Sequence, residues 1–172
     1  MTFFEVVARQ RACREFLDNP VADDDVARLL EAAMYAPSAE NRQPWEFIVV
    51  RDRALIASLA ELARRAWDEM GRAFSVERLD AKLFADVERG ATGGFATAPV
   101  HIVVAADTKR GLEQTVPSST FPAVQNLLLA ATALGLGSAL TTIALDYRAE
   151  LTSLLALPDT VVPVAIVPIG RP

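Results

Sequence analysis

Three segments of the chain hold residue types that could do chemistry. Arg9, Arg11 and Arg14 place three guanidinium groups within six residues of an otherwise acidic protein. A guanidinium is a planar fork whose paired N–H donors match a phosphate monoester, although the same cations would also suit the negative end of a short helix. The second segment is PSAENRQPW, Pro37 to Trp45, a polar stretch between two apolar runs. Ser38 and Asn41 offer short donors and acceptors, and Pro44 restricts the chain entering the next run; read plainly, it is a helix-to-strand connection anchored by Trp45. The third is LGLGSALTTI, in which Gly135 and Gly137 follow an apolar run and precede another. That order is the reverse of a dinucleotide-binding turn, so the glycines read as a helix cap and a point of close backbone approach. Thr141 and Thr142 add hydroxyls and N–H groups.

Other chemistries find no support. His101 is the sole histidine, and no G-x-S-x-G, H-E-x-x-H or Cys/His metal spacing accompanies it. It reads as structural, no metal ligands are assigned, and Asp23, Asp24 and Asp25 read as helix-start residues. With no catalytic side chain in evidence, the pattern suits an enzyme whose cofactor carries the reactive atom.

The elements that must position these segments follow from periodicity and caps. Thr2 caps a helix to about Arg11 with Phe3, Phe4, Val7 and Ala8 on its apolar side. The acidic triplet opens a second helix, with Val26, Leu29, Leu30, Ala33 and Met34 at helical spacing up to Pro37. Trp45–Val50 reads as a strand, and Asp52 opens a long helix with Leu55, Ile56, Leu59, Leu62, Ala63 and Trp67 inward. Residues 75–89 are helical in pattern, and Gly90 to Gly94, GATGG, reads as a flexible connector to a strand, VHIVVAAD. The segment from Asp107 to Thr120 is a loop of functional length. An almost wholly apolar helix then runs to Gly135, SALTT reads as a short strand, residues 146–157 as a helix, and VVPVAIVPIG as a last strand. Pro163 and Pro168 predict that this strand lies at an edge or is distorted. One α+β domain over residues 1–172 is the economical reading.

Composition narrows the partners. A net charge of −5 gives no general affinity for nucleic acid or an anionic membrane. The single cysteine, Cys13, forms no intrachain disulfide, and the N-terminus has no secretory pattern, so the cytoplasm is expected. Leu127 to Leu145 is uncharged and long enough to span a bilayer, but Gly135 and Gly137 interrupt it and no positive cluster bounds it. It reads as a buried helix, a turn and a strand. The apolar share, 52%, is high for a water-exposed surface, which predicts that a second copy covers part of it.

Taken together the segments resemble the nitroreductase family of FMN-dependent oxidoreductases. QRACREF resembles the family's opening RRSxRxF; EAAMYAPSAENRQPWEFIVV resembles its PS-x-x-N-x-QPW block; AVQNLLLAATALGLGS resembles its buried helix and turn; PVAIVPIGRP resembles its closing strand. The resemblance implies a central, mainly antiparallel sheet surrounded by helices, in an intertwined homodimer with FMN at the subunit interface. It implies that Gln10, Arg11, Ala12 and Arg14 meet the phosphate end, and that Pro37, Ser38, Ala39 and Asn41 meet the flavin of the partner subunit. Thr141 and Thr142 would lie near the isoalloxazine edge, with backbone N–H close to N5. Gln10 and Ala12 stand where the family often has Arg and Ser, so Arg9 would substitute, and Arg171 would take the phosphate contact that a basic tail makes in many members. The implied reaction takes hydride from NADH or NADPH and reduces nitroaromatic, quinone or similar electron-poor acceptors by ping-pong transfer. Alternatives are dehydrogenation or dehalogenation on the same fold, or a flavin-binding protein without turnover. The segment Thr108 to Phe121 would face the acceptor.

Overall fold

A computed structural model describes residues 1–111 and 113–172. Leu112, in the segment expected to face the acceptor, lies outside the described residues. Four strands, β1 (Trp45–Val50), β2 (Val100–Asp107), β3 (Gly137–Ser138) and β4 (Val161–Gly170), form one antiparallel sheet in the order β1-β2-β4-β3. Eight α-helices surround it among the described residues: α1 (Phe3–Arg9), α2 (Asp23–Met34), α3 (Arg53–Ala66), α4 (Arg72–Val76), α5 (Ala81–Arg89), α6 (Phe95–Thr97), α7 (Val116–Ala133) and α8 (Arg148–Leu154). The α+β architecture is as expected.

The sheet is covered on both faces, which explains why β2 is apolar without alternation. Val100, Ile102 and Val104 pack with Leu29 and Ala33 of α2 and Val124 and Leu127 of α7. Val103 faces the other way, with Ile56 and Leu59 of α3, Leu151 of α8 and Phe95. The caps do what the sequence predicts. Thr2 and Glu5 form a reciprocal capping box on α1, and Asp52 accepts from the Leu55 N–H at 2.8 Å on α3. Gly135, at φ 71°, ends α7 in a left-handed turn: the Leu136 N–H donates to Ala131 O and the Gly135 N–H to Thr132 O.

The final strand, β4, is the distorted strand of the two alternatives, interior rather than at an edge: the register shifts between Val104 and Ala105, where Pro163 pairs, and among the described residues its outer side carries two residues of β3 and one bridge from Thr141 to Ile166. SALTT therefore contributes a fragment of strand. Other expectations are corrected. The 75–89 pattern divides at a turn before Asp80, which caps α5 by accepting from Lys82 and Leu83. GATGG is a π-turn continuous with α5 and α6, not a loose connector, and a second π-turn, Trp67–Gly71, joins α3 to α4. On α1 only Val6 is buried; Phe3, Phe4 and Val7 face outward, as do Met34 and Tyr35 at the end of α2. Leu127 to Leu145 does form helix, turn and short strand, and no helix among the described residues is long and apolar enough to cross a membrane.

Candidate functional site

The basic opening segment is extended and fixed on both sides by backbone bonds. The Cys13 N–H donates to Ser138 O on β3, and the Leu17 N–H to Arg171 O just beyond β4, both at 2.9 Å. Ala12 forms a parallel bridge with Ser138. Opposite, the Phe16 N–H donates to Thr97 Oγ1 at 3.2 Å, and Glu15 pairs with Arg89 at 3.1 Å. The segment thus lies clamped between the end of the sheet and the rod formed by α5, the π-turn and α6.

Beside it opens a cavity of about 630 Å³, lined by Cys13, Arg14 and Phe16, by Trp67, Met70 and Phe74, by Gly90 and Phe95, and by Ala139 to Ile143. This volume is in the range of small-molecule sites. Its wall is mostly apolar and aromatic. The charged side chains on it are Arg14 and Asp146, and among the described residues Arg14 has no carboxylate partner. A half-buried guanidinium without a counter-ion among the described residues, on the wall of an apolar cleft, fits an anionic group on a planar ligand.

Arg14, Thr141 and Thr142 are thus brought together, whereas Gln10, Arg11 and Ala12 lead into the cavity without lining it. Arg11 Nη1 donates to Gln10 O at 2.6 Å, a local bond. Arg171 follows the same edge, its guanidinium reaching over Gly135. The two threonines are not equivalent. Thr141 exchanges both backbone bonds with Ile166 at 2.9 Å, and its Oγ1 accepts from the Ile143 N–H, so its N–H is spent. Thr142, exposed on the cavity wall, is the residue left to donate.

The hinge lies elsewhere in the same chain. Pro37 and Asn41 are exposed, Ser38 and Ala39 half-buried, and none of the four lines this cavity. Its conformation is held tightly. Glu40, Asn41 and Gln43 have φ of 53°, 53° and 46°, a left-handed region that costs about 1–2 kcal/mol for most residues. Two serines impose it: buried Ser119 of α7 accepts from the Ala39 N–H at 3.1 Å, and Ser38 Oγ from the Gln43 N–H at 3.0 Å. Strain of this kind collects where a loop meets a ligand or partner.

Residues missing from the sequence reading of the site are Cys13 and Phe16, which flank Arg14 in the opening segment, and Trp67, Met70, Phe74 and Gly90, which α3 to α5 and the two π-turns bring across the fold. One local signal existed for them: Gly90, Gly93 and Gly94 break a helical pattern that Ala would favour. Burial shifts two titratable groups at or behind this wall. His101 is fully buried, its ring 4.4 Å from that of Phe95, and loss of hydration lowers its pKa to about 4, so it is neutral at pH 7. Burial also raises the Cys13 thiol above its ordinary value. No three His, Cys, Asp or Glu side chains among the described residues could hold a metal ion.

Residues 7–171 match the nitroreductase family, and the chain belongs to it. A protein of Archaeoglobus fulgidus, provisionally named an NADH dehydrogenase/NAD(P)H nitroreductase, is 32% identical over 98% of this chain and 84% of its own length. An iodotyrosine deiodinase of Thermotoga neapolitana is 28% identical over 98% of this chain and 88% of its own length. A nitroreductase with bound FMN from Desulfitobacterium hafniense superposes with a TM-score of 0.78, is 26% identical, and is covered to 89% by 99% of this chain.

Proposed function

We propose that this chain is an FMN-dependent oxidoreductase that takes hydride from NADH or NADPH and reduces nitroaromatic, quinone or similar electron-poor acceptors. The observation that carries this reading is Arg14, without a carboxylate partner among the described residues, on the wall of an apolar, aromatic-lined cavity that Thr142 also lines. The residues fit the flavin. Arg14, with Arg171 on the same edge, supplies charge for a phosphate; Trp67, Phe74 and Phe95 supply flat apolar surface; Thr142 supplies a donor for a ring nitrogen. The chemistry FMN supplies when bound is reversible hydride transfer.

The working form is a homodimer. The hinge is preorganised yet does not line the cavity beside Arg14, and Phe3, Phe4 and Val7 of α1 and Met34 and Tyr35 at the end of α2 are exposed. In a dimer Pro37, Ser38, Ala39 and Asn41 would close the cavity of the partner. The chain acts as a single domain of the cytoplasm. No proton-transferring side chain is assigned: His101 is sealed in the core, so this chain binds, orients and excludes water.

Anaerobic addition of NADH or NADPH to the purified protein should bleach bound flavin rapidly, and initial rates should give parallel lines because donor and acceptor use one place in turn. Absence of bleaching removes the enzyme and leaves a flavin-binding protein. A second reading, reductive dehalogenation, is favoured by the deiodinase relative. Faster turnover of a halotyrosine than of nitrobenzene would select it.

A further inference from the structure

We infer that Gly90 is a positioning residue for the Arg14 guanidinium and so sets the preference of the site for a phosphorylated flavin over the unphosphorylated one; this rests on the reading of Arg14 as the phosphate contact. Glycine inside a helical rod costs about 1 kcal/mol relative to alanine, so each of Gly90, Gly93 and Gly94 needs a reason. Two have one. A Cβ at Gly94 would overlap the Arg14 carbonyl oxygen, so the main chain of the opening segment lies directly on the turn. A Cβ at Gly90 would come within 2.8 Å of Arg14 Cδ, 3.1 Å of Cβ and 3.2 Å of Cγ, so the whole aliphatic stem lies against bare backbone. On the opposite side Gly137 admits Cys13, where a Cβ would come within 2.7 Å of Sγ. Gly93, in the same turn, meets nothing within 4 Å.

Arg14 is therefore located by contact along its stem, not by an ion pair to its head. A long side chain otherwise spreads over many rotamers, and fixing it before a ligand arrives reduces the entropy lost on binding. The π-turn places the contact: its wider helical turn presents Gly90 and Gly94 to the passing segment. Adding one methyl at Gly90 displaces the stem while leaving the charge in the protein.

The test compares affinities for FMN and riboflavin, by quenching of flavin fluorescence, in wild type, Gly90→Ala, Gly93→Ala and Gly90→Ala combined with Arg14→Ala. Gly90→Ala should weaken FMN roughly tenfold while changing riboflavin less than about twofold, the scale of one displaced charge-assisted contact. Gly93→Ala should change neither, and in the Arg14→Ala background Gly90→Ala should have no further effect. Equal losses for both flavins, an unchanged ratio, or the same effect from Gly93→Ala overturns the inference. If Gly90→Ala alone does not fold, folding of the pair with Arg14→Ala supports the stem contact, and failure of both overturns it. A wild type that binds neither flavin sinks the proposed function itself, a result distinct from all of these.

Discussion

The buried histidine gives a prediction that can be worked through from the structure. His101 is fully buried between β1 and β4, packed on Phe95, with no side-chain partner for either ring nitrogen among the described residues. Its pKa falls from 6.5 to about 4 on folding, chiefly through lost hydration. Between these values the unfolded chain binds a proton that the native protein does not, so stability is complete above the higher value and is lost as pH falls toward the lower. At 1.36 kcal/mol per unit the whole loss is roughly 3 kcal/mol, of which roughly 2 kcal/mol is reached by pH 5. That is a large fraction of a typical domain's stability. Urea unfolding at pH 7 and pH 5 should show this difference in wild type beyond that of His101→Leu, in which the other titrating groups remain. The sole histidine also gives one unambiguous imidazole resonance. A midpoint near 6.5, or identical pH dependence in the two proteins, would refute the reasoning.

Other substitutions probe the hinge and the helix ends. Ser119→Ala removes the acceptor for the Ala39 N–H and should cost about 1–2 kcal/mol in urea unfolding, with faster tryptic cleavage after Arg42; unchanged cleavage would show that the hinge holds itself. Asn41→Gly keeps the left-handed conformation, so stability should move by less than about 0.5 kcal/mol while FMN binds more weakly; unaltered affinity would remove Asn41 from the site. Ala156 ends α8 at φ 50°, with Leu157 N–H bonded to Thr152 O as Leu136 is to Ala131 after α7, so Ala156→Gly should raise stability by about 1 kcal/mol. A lower melting temperature would contradict that.

What the sequence disclosed was local. The caps at Thr2, Asp52 and Gly135 follow from backbone donors and φ, and the runs at Trp45–Val50 and Val100–Asp107 are long enough to be read directly. What it withheld depended on neighbours. Pro163 and Pro168 argue for an edge or a distorted strand, and β4 is the second: it is interior, with a register shift at Pro163, and β3 and the Thr141 bridge demand few hydrogen bonds from its outer side. Phe3, Phe4 and Val7 define an apolar face by pattern, and nothing in one chain covers it. At the site, Arg14 and the Thr141–Thr142 pair were legible by type, but only the fold shows that Thr141 spends its N–H on Ile166. GATGG looked flexible because the reason for its glycines, the passage of Arg14, lies about eighty residues away, as Gly90 and Gly94 show.

The central claim is a site shared between two copies, with Arg14 from one and the hinge from the other. Mixed dimers test it most directly: Arg14→Glu chains and Asn41→Arg chains, each unable to hold flavin alone, are co-expressed with different tags and the heterodimer is isolated. If the site is shared, one of its two cavities combines an intact Arg14 with an intact hinge, and the heterodimer should carry half the flavin of wild type. A heterodimer with no flavin, or a wild type that sediments as a monomer, would contradict the account.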